Sequence, residues 1–400
     1  MIPLVTIKDA FEFVRNGLSI KQSENSVGFP ITRIETIWNS TIDINRFGYA
    51  DIKDVEKYKN NLLNDGDILM SHINSPKHLG KSAIYEGNPK QLIHGMNLLN
   101  LRPNRNISLP KYLYFYLNSD NFKNQIKKIS NQSVNQASFS SGNLKKLKIP
   151  LPSLPEQQKI ASILDAADSL RQKDQQLIEK YTALSQSLFL EMFGDPKVNP
   201  NNWPLTALGK IIEEGPQNGL YKPSGDYGTG TPIIRIDSFH NSVVELSKLK
   251  RVRVSEGELS KFEIFEGDFV LNRVNSPSHL GKCGLVSKVK ERMVFESNMM
   301  RIKFNKSMVN NTFMLSILSS KYLKHQILNS SKDAVNQSSI NQKDVNSFEI
   351  PLPPIELQNQ FAERIQLIEA QKQQAQASLE KSEALFNSLL QRAFKGELTV

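Results

Sequence analysis

The sequence predicts an α+β fold in which two repeated α/β domains are separated by two long antiparallel coiled-coil helices, related by a pseudo-two-fold axis. Two observations predict it: a long internal repeat and two proline-free heptad segments. Residues 66–193 recur without a gap at an offset of 201 residues, so that residues 74–81 return as residues 275–282. A period of this length corresponds to a domain rather than to a solenoid repeat. The chain is therefore predicted to be a pseudo-dimer.

Each copy opens with strand signals. Short β-branched or apolar runs bounded by Gly, Asn and Asp occupy residues 29–34 and 67–71 in the first copy, and residues 231–236 and 268–272 in the second. Helical patches follow at residues 110–129 and 311–328, the first with Pro110 in its first turn. A polar loop and an Ile-Pro-Leu-Pro strand end then lead into the long helices.

The long helices show heptad spacing. Residues 156–193 contain no proline or glycine, and Gly194 and Gly396 are predicted helix stops. The predicted seam positions are Ile160, Ile163, Ala167, Leu170, Leu177, Tyr181, Leu184 and Leu188 in the first helix, interrupted at Asp174, and Phe361, Ile365, Ile368, Ala375, Leu379, Leu385, Leu389 and Ala393 in the second. Such a seam favours a partner helix. A helix of this length, about 57 Å, exceeds one domain, so the other long helix is the expected partner; packing on its own domain is the alternative.

Charge divides the chain into the same segments. Residues 1–149 hold 20 basic and 12 acidic side chains, a net of +8, and residues 196–350 hold 21 and 15, a net of +6. The helical segments 150–195 and 351–400 have net charges of −3 and −1. We therefore expect domains at 1–149 and 196–350, joined by helices at 150–195 and 351–400. Nucleic-acid binding by the basic domains is one interpretation, and a merely basic soluble surface is the other.

Several classes of function are disfavoured. No apolar run is long enough to span a membrane, and the first residues do not resemble a signal peptide, so a cytoplasmic protein is expected. One cysteine, Cys283, excludes an internal disulfide. The loop ending at Lys81 lacks the first glycine of a phosphate-binding loop, and no Asn-Pro-Pro-aromatic, nuclease, triad or histidine-ligand pattern is found. These features predict a binding protein and not an enzyme.

The repeated motifs resemble the specificity (S) subunit of type I restriction–modification systems. The resemblance rests on the tandem order, on residues 66–69 and 267–270 ahead of the Gly-Lys loops, and on the junction at residues 144–160, which returns at residues 352–358. It covers essentially the whole chain. In the second junction, Ile355-Glu356-Leu357-Gln358 replaces the usual Glu-Gln pair, a difference that concerns helix capping.

The resemblance implies a non-catalytic subunit in which each domain reads one half of a split double-stranded DNA target. It implies that the antiparallel helices set the distance between the half-sites. The implied partners are two methyltransferase (M) subunits, which bind S-adenosylmethionine, and motor–nuclease (R) subunits, which hydrolyse ATP with Mg²⁺. No cofactor or metal is expected in this chain. The alternatives are a protein-assembly scaffold with incidental basic charge and a nucleic-acid enzyme with cryptic catalytic residues.

The two copies diverge at residues 35–64 against 237–265, and over most of residues 82–133 against 283–334. If both domains read bases, these differences predict an asymmetric bipartite target. Retained residues would then form scaffold or phosphate contacts.

Candidate DNA contacts have structural alternatives. Arg33 and Arg235 could fork onto guanine or phosphate or form internal ion pairs. Loop residues could contact DNA or serve turns: Asn74, Lys77, His78, Lys81, Arg273, Asn275, His279 and Lys282. The amides of Asn135, Gln136, Asn336 and Gln337 could read adenine or cap the next segment. Tyr221 and Lys222 lie in a glycine-rich loop and complete the set.

Overall fold

The computed structural model describes residues 2–23, 28–133, 136–240, 243–244, 246, 249–334 and 337–398. The chain divides into two compact units. Unit 1 comprises Met1–Gln176 and Ala375–Val400, and unit 2 comprises Leu177–Gln374. Each unit thus contains one repeated lobe together with part of both long helices. The division of the chain at residues 149, 195 and 350 stays a prediction.

Unit 1 contains a mixed α/β lobe. Its strands are β1 Leu4–Thr6, β2 Phe11–Asn16, β3 Gln22–Ser23, β4 Phe29–Ile31, β5 Ile37–Trp38, β6 Thr41–Ile42, β7 Gly48–Ala50, β8 Ile68–Ser71, β9 Ile73–Asn74, β10 Ser82–Ile84, β11 Leu98–Pro103, β12 Asn131–Gln132, β13 Ala137–Ser138 and β14 Lys148–Pro150. Its helices are α1 Ile7–Ala10, α2 Pro110–Asn118, α3 Asp120–Ile129 and α4 Ser141–Lys145, followed by α5 Leu154–Phe193, which continues into unit 2.

The core of unit 1 is built on an antiparallel sheet of order β10-β8-β11-β2. Strand β8 is buried at every position because both of its faces are covered: Ile68 and Met70 lie in the core that includes α2, and Leu69 packs with Ala83 and Leu98 in a second cluster. The adjacent small sheet has the order β12-β13-β9. Gly66 precedes β8 with φ +86°, a conformation that favours glycine, as the predicted turn requires.

Unit 2 repeats this plan with a wider sheet. Its strands are β15 Leu205–Ala207, β16 Ile212–Asn218, β17 Tyr227–Ile234, β18 Phe239–His240, β19 Val243–Val244, β20 Lys250–Val252, β21 Phe269–Asn272, β22 Val274–Asn275, β23 Cys283–Leu285, β24 Val294–Phe295, β25 Met299–Phe304, β26 Lys332–Ala334, β27 Gln337–Ser339 and β28 Glu349–Pro351. Its helices are α6 Glu256–Phe262, α7 Asn311–Leu318, α8 Lys321–Ser330 and α9 Gln342–Ser347, followed by α10 Ile355–Lys395, which continues into unit 1.

The central sheet of unit 2 has the order β16-β25-β21-β23-β19-β18, and a small sheet has the order β22-β27-β26. The fully buried strand β21 is the equivalent of β8. An aromatic cluster joins the lobe to the long helices, with Phe189 and Phe193 of α5 against Phe313 of α7 and Phe361 of α10. The two tryptophans are divided between the units, Trp38 in unit 1 and Trp203 in unit 2.

Each predicted helical patch is two helices. In unit 1 the patch breaks at Ser119, whose hydroxyl accepts a hydrogen bond from the backbone N–H of Phe122 and caps α3. In unit 2 the break lies between α7 and α8, and Ser320 caps α8 in the same way. Serine prefers this cap position to a helix interior, so the chain turns at a residue that lacks the usual Gly or Pro signal.

The long helices are antiparallel in both units. In unit 1, Leu164 of α5 shares a core with Leu390 of α10, whereas Asp174 hydrogen-bonds to Ser382, so the residue numbers run in opposite directions. In unit 2, Phe193 of α5 contacts Phe361 near the start of α10. The prediction of a paired antiparallel coiled coil is therefore confirmed. Both helices end at glycines with positive φ, Gly194 and Gly396, as predicted.

The predicted seam is wrong at four leucines. Leu170, Leu177, Leu184 and Leu385 are 41–49 % exposed. The buried or half-buried side of α5 follows heptad spacing through residues 160, 164, 167, 171, 174, 178, 181, 185, 188 and 192. Several of these positions hold polar residues, including Asp174. A prediction based on apolar residues alone therefore chose a neighbouring row of leucines that has the same seven-residue period. The heptad register is real, but its face is rotated from the predicted one.

Each lobe is fastened to its long helix by a buried glutamine. Gln157 accepts a hydrogen bond from the backbone N–H of Leu109 at 2.7 Å, and its amide donates to the carbonyls of Ile107 and Pro152, both at 2.8 Å. Gln358 has the equivalent three bonds in unit 2, at 2.9, 3.2 and 2.8 Å. The residues before Gln358 differ from the usual pattern, but Gln358 and its three hydrogen bonds are present.

Candidate nucleic-acid interface

The Gly-Lys loop has the same backbone in both units. In unit 1 it follows β9, and the Gly80 N–H donates to the Ser71 carbonyl at 2.8 Å. In unit 2 the Gly281 N–H donates to the Asn272 carbonyl at 2.8 Å. Both glycines have positive φ, +77° and +73°, and isoleucine side chains of α3 and α8 lie where a β-carbon would project. The loop is therefore a packed scaffold that holds the following lysine.

The asparagines of this loop serve the turn. Asn74 Oδ1 accepts from the Ser75 N–H at 2.8 Å, and Asn275 Oδ1 accepts from the Ser276 N–H at the same distance. Asn74 also donates to the Ser71 hydroxyl at 3.1 Å. Turn formation thus accounts for the retention of both asparagines, and their role in DNA contact stays a prediction.

Lysines cluster beside the loop in unit 1. Burial, and after it the charges of Lys77 and Lys123, lower the pKa of Lys81. Burial and the charges of Lys81 and Lys77 also lower the pKa of His78. Among the residues that the structure describes, no carboxylate forms an ion pair with any of these three lysines. Their positive charge is therefore available to an external anion.

Unit 2 retains two of the three lysines, Lys282 and Lys324, because Ser278 takes the place of Lys77. Lys324 of α8, which corresponds to Lys123, donates from Nζ to the carbonyls of Pro277 and Leu280 and braces the loop. Burial and the charge of Lys282 lower its pKa. Lys282 and His279 are exposed. Lys123 and Lys324 were missed at the sequence level, although both are lysines at the repeat offset of 201 and could have been found by it.

The small sheets join two loops that are distant in sequence. In unit 1, Asn74 of β9 pairs with Ala137 of β13, next to Gln136. In unit 2, Asn275 of β22 pairs with Ser338 of β27, next to Gln337. Gln136 and Gln337 are exposed. Asn135 and Asn336 lie outside the described residues. The structure thus brings the Gly-Lys loop and the polar loop together in each unit.

In unit 2 a second group of candidate residues lines an open hollow of about 490 Å³. Arg235 Nε lies 3.3 Å from Glu296 Oε2, and the guanidinium lies 5.5 Å from the centre of the Tyr227 ring. Glu296 also accepts from the Ile236 N–H at 2.7 Å. The ion-pair alternative for Arg235 is therefore present, with part of the side chain still facing the hollow. Tyr221 is 76 % exposed at its rim.

Lys222 and Arg273 are held internally. Lys222 Nζ lies 2.8 Å from Glu258 Oε1, and the pKa of Glu258 falls to about 2 because it accepts hydrogen bonds from Lys222 and from the Ser255 backbone. Arg273 donates to the Ser297 carbonyl at 3.0 Å. Both side chains thus have partners within the chain, and their contact with DNA stays a prediction.

Unit 1 offers different chemistry at the equivalent position. Arg33 donates through Nε to Gln22 rather than to a carboxylate. Gly95 occupies the position of Glu296, and His72 the position of Arg273. Within the described residues, the arginine in unit 1 therefore lacks the ion pair that Arg235 forms in unit 2. No signal within one copy predicts this difference, because Gln22 and Glu296 are distant from their arginines in sequence.

An exposed tryptophan of unit 1 was also missed. Trp38 is the last residue of β5, just before the two-residue turn to β6, in the segment where the copies diverge, and is 49 % exposed. The guanidinium of Arg46 stacks on it at 4.0 Å and is oriented by Asp43, 2.9 Å from its Nε. Positive φ at Asn39 and Ser40 defines the turn, as in hairpins of this length.

Among the described residues, no group of three or more His, Cys, Asp or Glu side chains is arranged to hold a metal. Burial raises the pKa of the Cys283 thiol to about 11. In the same part of the chain, no helix is both long enough and apolar enough to cross a membrane.

A chain of two like units, each with a lysine-bearing loop and a neighbouring polar loop, has the construction of a two-part binding protein. A model of the type I restriction modification DNA specificity domain matches it twice, at residues 4–180 and 205–381. The chain belongs to this family.

Relatives and solved structures agree. The chain is 35 % identical to the putative type I restriction enzyme MjaX specificity subunit of Methanocaldococcus jannaschii, over 96 % of this chain and 91 % of that one. It is 24 % identical to the EcoKI specificity subunit of Escherichia coli K12, over 92 % and 82 %. The S subunit of a type I system from M. genitalium has a similar fold, with a TM-score of 0.59, 16 % identity and coverage of 98 % and 96 %.

Proposed function

We propose that this chain is the specificity subunit of a type I restriction–modification assembly, and that each unit recognises one half of an asymmetric, two-part DNA sequence. The family supports the role, and the duplicated structure supports the division of the target. Recognition would be binding without chemistry, as in a specificity subunit, and the described polar side chains of the candidate interface lie in turns, ion pairs and open surfaces.

The observation that carries the proposal is the repeated lysine cluster. Lys81 with Lys123, and Lys282 with Lys324, stand at the same loop in the two units. Like charges held together on a packed loop raise the free energy of the isolated protein, and phosphates relieve that repulsion while releasing counterions. These lysines would contact the phosphates and position each unit on the duplex.

Base recognition would come from the parts that differ. The Arg235–Glu296–Tyr227 hollow with exposed Tyr221 exists in unit 2, whereas in unit 1 the Arg33 side chain donates to Gln22 and forms no ion pair with a carboxylate of the described residues. Exposed Gln136 and Gln337 have amides of the kind that can bond adenine bidentately. Two surfaces of unlike chemistry would select two unlike half-sites, and the paired helices would hold the distance between them.

The assembly would contain two methyltransferase subunits and, for restriction, motor–nuclease subunits. One solved structure with this fold, at 17 % identity and a TM-score of 0.53, concerns complex assembly and conformational transition of the type I R-M system. S-adenosylmethionine and ATP with Mg²⁺ would bind to the partner subunits. The soluble lobes would act in the cytoplasm, where these partners and the DNA are found.

Reversing the loop charges tests the proposal. Lys81→Glu with Lys282→Glu should weaken binding of a mixed-sequence DNA duplex by the chain–methyltransferase complex at least about tenfold at low salt, and reduce the slope of log affinity against log salt by about two. The matched control is Lys128→Glu with Lys343→Glu, which changes the net charge equally at exposed lysines of the same two units. Binding by fluorescence anisotropy measures both.

Equal losses in the two double variants would show that only overall charge matters. Unchanged binding in the loop variant would rule out the loops as phosphate contacts, and failure of the unaltered complex to bind DNA would favour a protein scaffold. Mapping the methylated sites in DNA from cells that express the chain and its methyltransferase then gives the two half-sites.

A further inference from the structure

A buried carboxylate lies within the helix pair of unit 1. Asp174 of α5 is 8 % exposed. Ser378 Oγ of α10 lies 3.1 Å from both of its carboxylate oxygens, and Ser382 Oγ lies 2.8 Å from Oδ2. Burial of a carboxylate is costly unless hydrogen-bond donors accompany it. The two serines of α10 supply those donors.

The internal repeat identifies which partner could not supply them. At the offset of 201, Ser378 and Ser382 correspond to Leu177 and Tyr181 of the first copy. If α5 paired with another α5 in the same antiparallel register, Asp174 would therefore face a leucine and a tyrosine in place of two serine hydroxyls. The two helices are similar enough in length and spacing for such an error to be a competing arrangement.

The neighbouring layer has the same one-sided match. Arg171 of α5 lies over the ring of Phe386 of α10, 5.5 Å from its centre, and Asp168 holds the guanidinium at 2.6 Å. The first-copy residue that corresponds to Phe386 is Ser185, which offers no ring. Two successive layers of α5 are thus complementary to α10 and not to α5.

We propose that Asp174 makes the pairing of the long helices heterotypic: it accepts α10 as a partner and excludes a second copy of α5. The excluded partner is the same helix of another chain, which repetition of the sequence would otherwise make available. A single buried polar residue is known to select partners in this way, at a cost in stability, when the wrong partner leaves it unsatisfied. The proposal concerns assembly and does not depend on DNA recognition.

A graft in the full chain tests it. Ser378→Leu with Ser382→Tyr presents to Asp174 the residues that α5 carries. We expect the urea midpoint of unit 1 to fall by about 1 M, followed by Trp38 fluorescence in a Trp203→Phe background. Adding Asp174→Leu should restore at least half of that loss. Leucine is larger than aspartate, so relief of crowding cannot explain a rescue.

A second pair of variants avoids added volume. Ser378→Ala with Ser382→Ala removes both donors, and the midpoint should again fall and again recover with Asp174→Leu. Ser388→Leu, at an exposed position of the same helix, is the control and should leave the midpoint unchanged. If the grafted and alanine chains are equally stable with aspartate or leucine at position 174, the proposal is overturned.

Discussion

The buried aspartate that follows the glycine turn has the same backbone partner but different cations in the two units: it accepts from the N–H of Asn64 in unit 1 and of Phe265 in unit 2, both at 2.9 Å. In unit 1, Asp67 accepts from Arg102 at 2.7 and 2.8 Å. In unit 2, Asp268 lies 4.0 Å from Arg301, and burial raises its pKa. The position of Arg102 is taken there by Lys303, which pairs with glutamates of β16. The carboxylate is retained while its cation has moved along the strand, so the ion pair itself was not what duplication preserved.

Where each lobe is attached to its long helix, every hydrogen-bond partner is kept. Gln157 and Gln358 make the same three backbone hydrogen bonds in units 1 and 2. The copies have therefore kept the backbone hydrogen bonds of buried polar side chains, both here and at Asp67 and Asp268, whereas the ion pairs of the lobes have diverged. A retained buried polar side chain in this chain thus indicates a retained backbone contact.

The largest loss of stability is expected when either of these two glutamines is replaced. Gln157→Leu and Gln358→Leu should each lower the free energy of unfolding of their unit by about 3–4 kcal/mol, because three backbone groups lose their partner. Urea unfolding monitored through Trp38 or Trp203, with the other tryptophan replaced by phenylalanine, separates the two units.

The neighbouring exposed positions provide the controls. Gln158→Leu and Gln360→Leu should change the same free energies by less than about 0.5 kcal/mol. A large loss for Gln157→Leu with none for Gln358→Leu would contradict the equivalence of the two glutamines, since the shared bonds would then stabilise the two units unequally.

The stability of unit 1 should depend on acid pH more strongly than that of unit 2. Burial lowers the pKa of His94 in unit 1 from 6.5 to about 4, whereas unit 2 has Phe295 at the same position. The unfolded chain therefore binds a proton between these pH values that the folded unit does not. Unit 1 should lose about 3 kcal/mol of stability from this group as the pH falls from about 6.5 to about 4.

Replacing His94 with the phenylalanine found at the equivalent position of unit 2 measures the contribution of His94 to the pH dependence. His94→Phe should make the stability of unit 1 less dependent on pH over that range, in urea titrations followed through Trp38. His279→Gln removes a histidine from unit 2 and should leave the pH dependence reported by Trp38 unchanged, so it is the control for the loss of one histidine from the chain. An unaltered pH slope in His94→Phe would mean that His94 titrates normally in the folded state.

The smallest effect concerns the leucines that were wrongly assigned to the seam. Leu177→Asp and Leu184→Asp should each change the stability of unit 2 by no more than about 0.5 kcal/mol, because these side chains are exposed. Leu188→Asp, at a buried position of the same helix, should cost at least about 2 kcal/mol. Similar losses at all three positions would restore the predicted face.

Much of the scaffold was predictable because it rests on local signals repeated at one offset. The strand after Gly66, the stop at Gly194 and the heptad period each follow from short-range chemistry. The face of the seam did not, because the contacts that select it come from α10, and Asp174 fits the seam only through Ser378 and Ser382.

The candidate site was predictable as loops but not as contacts. The Gly-Lys loops are positioned as repeated packed turns, and the repeat offset could also have revealed Lys123 and Lys324. The pairing of Arg235 with Glu296 joins residues 61 positions apart, and nothing near Arg235 announces it. Contacts of this kind depend on how the sheets align, which composition and spacing do not specify.

The single cysteine also makes unit 2 its own reporter of local opening. Cys283 is buried on β23, and a thiol with a pKa of about 11 is almost wholly protonated at neutral pH. Thiolates, not thiols, attack alkylating reagents, and only exposed ones can be reached. The rate at which an alkylating reagent labels the unaltered chain should therefore report the transient separation of β23 from its neighbours, without any introduced probe.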